Sequence, residues 1–268
     1  MFTAVPYRGN PLAVVVEGDG LSDEQMQRFA NWTNFSETSF IVAPDDPEAD
    51  YRVRIFTTTT ELPFAGHPTL GTCHAWLATG GVPRRSDQVV QQCGIGLVTV
   101  ARDATGSLAF AAPPLLRDGS LDPELLERVT AVLGLGPEDV IDAAWIDNGP
   151  GWLGVLLGSA DAVLAVEADD SDLEIGVVGP YATGSAAAYE VRAFFPAQGR
   201  TIEDPVTGSL NASVAQWMIG SGRQTPPYTV TQGARLGRSG SVSVSGDDNG
   251  QIWIGGQVVT CVDGVVEI

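Results

Sequence analysis

The spacing of apolar residues predicts one helix and two strands in the first sixty positions. Residues 22–32 carry an apolar stripe at helical spacing, behind a capping box that starts at Ser22. Residues 38–43, TSFIVA, are typical of a buried strand, and residues 50–57 alternate as a half-exposed strand does. Glu37 therefore falls at the junction between the helix and the first of these strands.

A second helix is predicted directly after the segment ELPFAG. The sequence HPTLGTCHAWLATGG places His67 at or near the helix cap and Pro68 in the first turn, and Gly80 and Gly81 end the pattern. Strand-like runs follow over residues 88–102 and 106–113. The first half of the chain is thus predicted to combine two helices with several strands.

The segment PPLLRDGSLDP carries prolines and turn residues, which favour a linker and a domain boundary near residue 113. A new helix start follows at Asp122, with Pro123 in the first turn. We therefore predict one domain over residues 1–113, to which the C-terminal strand returns, and a second over residues 114–268.

An internal repeat links the two predicted domains. The segment ELPFAGHPTLGTCHAWLATG aligns without a gap with EDPVTGSLNASVAQWMIGSG, and the upstream VRIF aligns with VRAF at a slightly different offset. We call residues 61–67 the first corner and residues 203–209 the second corner. The aligned pairs are Arg54 with Arg192, Phe56 with Phe194, Glu61 with Glu203, Pro63 with Pro205, Gly66 with Gly208, and His67 with Ser209.

The repeated corners predict two places that favour negative charge. Each precedes a helix, and helix N-termini carry unpaired N–H groups and partial positive charge, which suit a carboxylate or a developing oxyanion. We expect the two corners to face one cleft between the halves, where a small ligand would bind. The corners differ, since the first carries His67 and Leu62 where the second carries Ser209 and Asp204.

Charge and residue usage exclude several classes of protein. The 33 acidic residues outnumber the 14 basic residues, and the net charge of -19 repels nucleic acid and anionic membranes. All the basic residues are arginines. The lack of lysine excludes pyridoxal-phosphate enzymes, Schiff-base aldolases and phosphate-loop NTPases, because each requires a lysine amine.

The cysteine count and the hydropathy indicate a soluble cytoplasmic protein. Three cysteines without paired spacing argue against a disulfide framework and for a reducing compartment. The first residues lack a basic start followed by a long apolar run, and no stretch of about 18 apolar residues occurs. We therefore expect no membrane association.

Each candidate residue also has a plain structural explanation. His67 suits a helix cap, and Asp204 before Pro205 suits a helix start. Glu37 alone would be a solvated carboxylate, and Ser209 and the glycines at positions 66 and 208 could simply serve a tight turn. His74 lies about 10 Å along the helix from His67, too far to share one zinc ion, so no metal site is predicted.

Five motifs in order resemble the PhzF family of phenazine-biosynthesis-like isomerases. They are GNPLAVV, NFSETSFI, YRVRIFT, ELPFAGHPTLG and EDPVTGSLNASVAQWM, and the later QGARLGRSGSVSV is also similar. The resemblance covers nearly the whole chain. It implies the α/β diaminopimelate-epimerase fold, with two pseudo-symmetric halves that each wrap a mostly antiparallel sheet around a central helix.

The resemblance also implies a site and a reaction. It makes Glu37 the acid and base, with His67 and Asp204 as supporting catalytic groups, and it assigns substrate binding to Gly66, Gly208 and Ser209. It implies a homodimer and a small carboxylic acid substrate related to dihydro-hydroxyanthranilate, with no metal or organic cofactor. Epimerases of this fold use one cysteine from each half, and the lack of cysteine at both corners excludes that mechanism.

The leading hypothesis is a cofactor-independent isomerase that moves a proton between carbons of a small acid. Two alternatives stay open on the residues alone: a one-base epimerase or lyase, and a non-catalytic protein that binds a small acid. The threonine run at residues 57–60 departs from the family pattern, and this loop is expected to border the pocket. The substrate is therefore the least determined part of the prediction.

Overall fold

The computed structural model describes residues 1–103, 106–197 and 199–268, and the chain divides into two units. Unit 1 comprises Met1–Ala111 with Gly255–Ile268, and unit 2 comprises Ala112–Ile254. Each unit has its own set of strands and its own central helix. None of the helices in these described ranges is long and apolar enough to span a membrane.

Unit 1 combines a mixed sheet with two helices. The sheet order is β1-β2-β3-β5-β6-β7, and β4 pairs with β3. The strands are β1 (Ala13–Val15), β2 (Thr38–Val42), β3 (Tyr51–Phe56), β4 (Glu61–Leu62), β5 (Gln88–Cys93), β6 (Gly96–Arg102) and β7 (Leu108–Ala111), and the helices are α1 (Asp23–Thr33) and α2 (Gly66–Ala78).

The two helices of unit 1 occupy different environments. Helix α1 begins with the predicted capping box at Ser22 and turns Met26 and Ala30 toward the core residues Phe40 and Phe56. Helix α2 is buried on all sides over Gly66–Cys73, and it contacts β1, β2, β5, β6 and β7. A helix that is apolar around its whole circumference belongs in an interior, so α2 is the central helix of this unit.

Unit 2 repeats this design on a larger scale. The sheet order is β15-β14-β12-β11-β10-β9-β8, and β13 pairs with β12. The elements are β8 (Arg117–Ser120), α3 (Pro123–Leu133), β9 (Val140–Asp147), β10 (Leu153–Leu157), α4 (Ala160–Ala165), β11 (Ile175–Pro180), β12 (Tyr189–Ala197), β13 (Arg200–Asp204), α5 (Gly208–Gly220), β14 (Tyr228–Gln232) and β15 (Gly240–Gly246), and β16 (Ile252–Gly256) leads the chain back to unit 1.

The segment predicted as a linker contains strand β8, so that part of the prediction is wrong. Strand β8 pairs antiparallel with β9, from Arg117 opposite Asp147 to Ser120 opposite Ala144. Its four residues are exposed and polar, which removes the alternation that normally marks a strand. Backbone hydrogen bonds to β9 form the strand despite that composition.

The predicted repeat is confirmed in the backbone. Helices α2 and α5 have the same length of 13 residues and start at the aligned glycines Gly66 and Gly208. In unit 1, Phe56 pairs with Glu61, and in unit 2, Phe194 pairs with Glu203 in the same register. The expected α/β fold of two similar halves, each with a sheet around a central helix, is confirmed as well.

Each corner proline is in close contact with the glycine that directly follows the strand after the central helix. A Cβ atom on Gly94, just after β5, would lie 2.6 Å from Cα of Pro63. A Cβ on Gly233, just after β14, would lie 2.4 Å from the carbonyl oxygen of Pro205. Both distances are far below a normal contact, so only glycine lets the strand approach its corner this closely.

Candidate active site

The two central helices differ from the other three α-helices at their N-termini. Side chains of Ser22, Asp122 and Ser159 cap α1, α3 and α4 by accepting a backbone N–H. In the described part of the chain, the side chains of Ala65 and Thr207, the N-cap residues of α2 and α5, accept no such bond. The first-turn N–H groups of α2 and α5 therefore lack a side-chain cap, and they can bind an anion.

Glu37 and His67 lie together at the start of α2. Glu37 directly precedes β2, which packs on α2, and this places its Oε2 atom 3.1 Å from Nε2 of His67. The side chains are 16% and 6% exposed, respectively. Within the described chain neither of these two atoms has a well-aligned hydrogen-bond partner. A carboxylate and an imidazole are thus in contact, with hydrogen-bonding capacity left for a third group.

The second corner is held by a cluster of polar side chains. The Thr207 hydroxyl donates to Oδ2 of Asp204 at 2.5 Å. Gln232, on β14, is buried behind the corner and bonds to both residues, and Asn211 donates to Gln232 from the first turn of α5. Thr207 therefore holds the Asp204 carboxylate directly, and Gln232 from β14 and Asn211 from α5 hold the backbone of the corner behind it.

Ser209 is held at the first turn of α5 by two residues of the loop between β9 and β10. The Trp152 ring N–H donates to Ser209 Oγ at 3.1 Å, and the Asn148 side-chain amide donates to the Ser209 carbonyl at 2.9 Å. Asp147 orders the same loop by accepting from the backbone N–H groups of Gly149 and Gly151. The start of α5 is thus fixed against a structured turn.

The structure places the six candidate residues in two groups. Glu37, Gly66 and His67 lie together in unit 1, and Asp204, Gly208 and Ser209 lie at one corner of unit 2. His74 lies elsewhere and contacts Thr260 at 3.0 Å. Among the residues that the structure describes, no cluster of three or more His, Cys, Asp or Glu could hold a metal ion.

Sequence reasoning missed Glu174, which occupies in unit 2 the position that Glu37 has in unit 1. Glu37 precedes Thr38, which pairs with Phe56, and Glu174 precedes Ile175, which pairs with the equivalent Phe194. Burial, aided by the charge of Asp147, raises the pKa of Glu174 to about 7. Extending the repeat upstream, with ETSFIVA aligned on EIGVVGP, would have found it.

Comparison with known proteins identifies the family. The family model described as "Phenazine biosynthesis-like protein" matches residues 1–264. The chain belongs to this family, as the sequence motifs indicated. A solved structure of a PhzF-family phenazine biosynthesis protein from Bacillus anthracis covers 95% of this chain and 92% of its own, with a TM-score of 0.79 and 24% identity. That likeness shows the shared fold.

The chain is also similar to two curated relatives with different names. Trans-2,3-dihydro-3-hydroxyanthranilate isomerase from Pseudomonas aeruginosa is 34% identical over 249 residues, which cover 88% of this chain and 84% of the relative. Antisense-enhancing sequence 1 from Schizosaccharomyces pombe is also 34% identical, over 98% of this chain and 95% of its own. The expectation of an isomerase of this family is confirmed at the level of the enzyme class.

Proposed function

We propose that the protein is a cofactor-independent isomerase that moves a proton between carbons of a small carboxylic acid, with Glu37 as acid and base. The observation that carries this proposal is the contact between Glu37 and His67 beside the uncapped start of α2. A partly buried carboxylate next to a polar partner suits a group that must both remove and return a proton.

The chemistry of the proposed step follows from the residues of unit 1. Ionised Glu37 removes a proton from a carbon of the substrate, and the electron pair delocalises into the adjacent unsaturated system. The protonated Glu37 then returns the proton to a different carbon, so that the mass is unchanged. His67 lies within contact distance of the Glu37 carboxylate, where it helps to orient the group in both protonation states.

The helix starts are proposed to bind the acidic part of the substrate. The N–H groups of Gly66 at α2, and of Gly208 and Ser209 at α5, would attract a carboxylate and the negative charge that develops during proton removal. Asp204 is proposed as a further polar group for the same reaction, as the family resemblance implies. No metal or organic cofactor is required for a carboxylate-mediated proton transfer of this kind.

The name of one relative supports the choice of substrate class. The Pseudomonas aeruginosa relative is named for trans-2,3-dihydro-3-hydroxyanthranilate, an amino acid with an unsaturated ring and a hydroxyl group. We propose an acid of this type, in which a carbon–hydrogen bond lies next to a conjugated system. Because the chain has no lysine, we propose that backbone N–H groups and arginines bind the substrate carboxylate.

The test is proton transfer in deuterated water with trans-2,3-dihydro-3-hydroxyanthranilate, followed by NMR. The wild-type protein is expected to convert the substrate to an isomer. The carbon that receives the proton should carry deuterium, because the proton on Glu37 exchanges with the solvent. Glu37→Gln keeps the shape of the side chain and should lower the rate about 10² to 10⁴-fold. Glu127→Gln, on the exposed face of α3, is the matched control and should keep the wild-type rate.

Each other outcome points to a different activity. Wild-type exchange in Glu37→Gln would remove Glu37 from the reaction. Loss of water from the product would indicate a lyase, and inversion at one carbon without a moved double bond would indicate an epimerase. A substrate recovered unchanged from the wild-type protein would contradict this isomerase proposal. Dialysis against EDTA should leave the wild-type rate unaltered.

A further inference from the structure

Gln232 is the centre of the hydrogen-bond cluster at the second corner. Its side chain lies at the end of β14 and is 1% exposed. The Oε1 atom accepts from the backbone N–H of Thr207 at 3.0 Å and from Nδ2 of Asn211 at 2.7 Å. The Nε2 atom donates to the carbonyl of Asp204 at 3.1 Å and to Oγ1 of Thr207 at 3.0 Å.

Two backbone groups fix the orientation of this amide. The Thr207 N–H is only a donor, so the atom facing it must be the amide oxygen of Gln232. The Asp204 carbonyl is only an acceptor, so the atom facing it must be the amide nitrogen. Flipping the Gln232 amide would break both bonds. The amide therefore has one orientation, set by the main chain.

The fixed amide determines where the Thr207 proton points. Since Gln232 Nε2 donates to Thr207 Oγ1, the hydroxyl oxygen is an acceptor toward Gln232. A hydroxyl has a single proton, which is then free to donate to Oδ2 of Asp204, 2.5 Å away. Oδ2 is therefore a hydrogen-bond acceptor. A proton carried by this carboxyl group belongs on the other oxygen, Oδ1.

The first corner lacks all three members of this relay. Leu62 stands where unit 2 has Asp204, and Ala65 stands where it has Thr207. Cys93, the last residue of β5 before Gly94, stands where unit 2 has Gln232 before Gly233. The backbone of a corner thus forms without the relay. The relay is therefore a feature of the second corner alone among the two repeats.

We propose that Gln232 is a positioning residue that acts through Thr207 on Asp204. It directs the Thr207 proton to Oδ2, so that Asp204 presents Oδ1 as the oxygen that exchanges protons with the substrate. This inference rests on the proposed function for the part played by Asp204 in the reaction. The orientation of the relay itself does not depend on which substrate is bound.

The first readout separates the relay from the reaction. In protein labelled with carbon-13 at the aspartate carboxyl groups, the Asp204 resonance is compared among variants. Thr207→Val removes the hydroxyl and keeps the shape, so it should shift this resonance, and Thr207→Ser should restore it. Gln232→Met should also shift it, because the Thr207 proton is no longer directed.

A control distinguishes the relay from general loss of a buried amide. Gln91 in unit 1 is also fully buried, accepting from the Tyr51 hydroxyl and donating to Thr69. Gln91→Met should lower stability without moving the Asp204 resonance. If Gln232→Met does not fold, the Asp204 resonance in Thr207→Val and Thr207→Ser tests the relay. An Asp204 resonance unchanged in Thr207→Val would overturn the proposal.

The second readout is turnover of trans-2,3-dihydro-3-hydroxyanthranilate. Thr207→Val should lower kcat about tenfold with little change in KM, and Thr207→Ser should regain most of it, since a hydrogen bond to a charged group is lost and then restored. Equal kcat in both variants would contradict the positioning role. If the wild-type protein does not turn over this substrate, the proposed function fails, while the Asp204 resonance still tests the relay.

Discussion

The two corners share one backbone and carry different chemistry. Strand pairing, the close contact of proline with glycine, and the 13-residue helix recur in both. The first corner is lined by apolar residues around His67 and meets Glu37, whereas the second is filled by the polar relay around Asp204. The repeat thus conserves what shapes the turn, and the side chains that fill it have diverged.

One ion pair is common to both units and contributes to the shared shape. Arg54 donates two parallel hydrogen bonds to Glu61, at 2.8 and 2.7 Å, and Arg192 does the same to Glu203, at 3.0 and 2.8 Å. Each guanidinium also lies over the ring of the phenylalanine two residues later. Bidentate pairs of this kind fix geometry, so they align the strand with the corner that follows.

The third partner of each arginine differs. Arg54 binds the exposed carboxylate of Asp23 at the start of α1. Arg192 donates instead to the carbonyls of Val163 and Val166 at the end of α4, and its side chain is only 5% exposed. The same pair is therefore partly solvated in unit 1 and enclosed in unit 2. This difference predicts unequal contributions to stability.

The largest expected effect comes from breaking the enclosed pair. Arg192→Met leaves Glu203 without its partner in a buried environment and should cost about 3 to 5 kcal/mol of unfolding free energy. Arg54→Met, its equivalent, should cost about 1 kcal/mol, because Glu61 stays accessible to water. Urea unfolding of both variants measures the difference. If both variants lose the same unfolding free energy, burial of the Arg192–Glu203 pair does not increase its contribution to stability over that of Arg54–Glu61.

A smaller effect is expected from Glu174, the counterpart of Glu37. Its folded pKa of about 7 lies above the ordinary value of 4.5, so the folded state holds the proton more tightly than the unfolded state. The contribution to stability is therefore present at low pH and is lost as the pH rises through about 7. Because glutamine does not titrate, Glu174→Gln should abolish this loss of stability with rising pH.

The measurement compares the wild-type and Glu174→Gln proteins at about pH 5 and about pH 8. Relative to the wild type, the variant should gain about 1 kcal/mol between these conditions, a value reduced for the partial solvent exposure of the carboxyl group. Glu127→Gln, an exposed change of the same kind, should show no such gain. A parallel pH dependence in all three proteins would contradict the assignment.

The smallest expected effect tests the uncapped helix. Ala65 has the extended backbone of an N-cap residue but no side-chain acceptor. Ala65→Ser should stabilise the protein by about 0.5 to 1 kcal/mol by capping α2. The same serine would occupy the N–H groups proposed to bind the substrate, so KM should rise. A gain in stability with unchanged KM would remove the α2 start from the binding site.

Local sequence patterns predicted most of the helices and strands. The capping box at Ser22 and the helix start at Asp122 were confirmed because caps depend on neighbouring residues. The repeat predicted both central helices, and α2 begins at Gly66, one residue before the His67 that the sequence placed at or near the cap. Strand β8 was missed because its exposed side chains carry no pattern, and only pairing with β9 makes it a strand.

The site was less accessible to sequence reasoning. The proximity of Glu37 and His67 came from the family resemblance, because thirty residues separate them and no local pattern joins them. Gln232 lies on a strand beyond α5, and its relay to Thr207 depends on tertiary packing. The roles of the six candidate residues stay predictions, and the experiments above address them directly.

The paired contacts of Gly94 with Pro63 and of Gly233 with Pro205 have a use beyond this chain. Side chains on these strands differ between the two units, as Cys93 and Gln232 illustrate, but a side chain at either glycine would collide with its corner. We therefore expect these two proline–glycine pairs to be retained in relatives where most other residues have been substituted. They offer fixed reference points for aligning the halves of distant relatives in which the corner chemistry itself has been replaced.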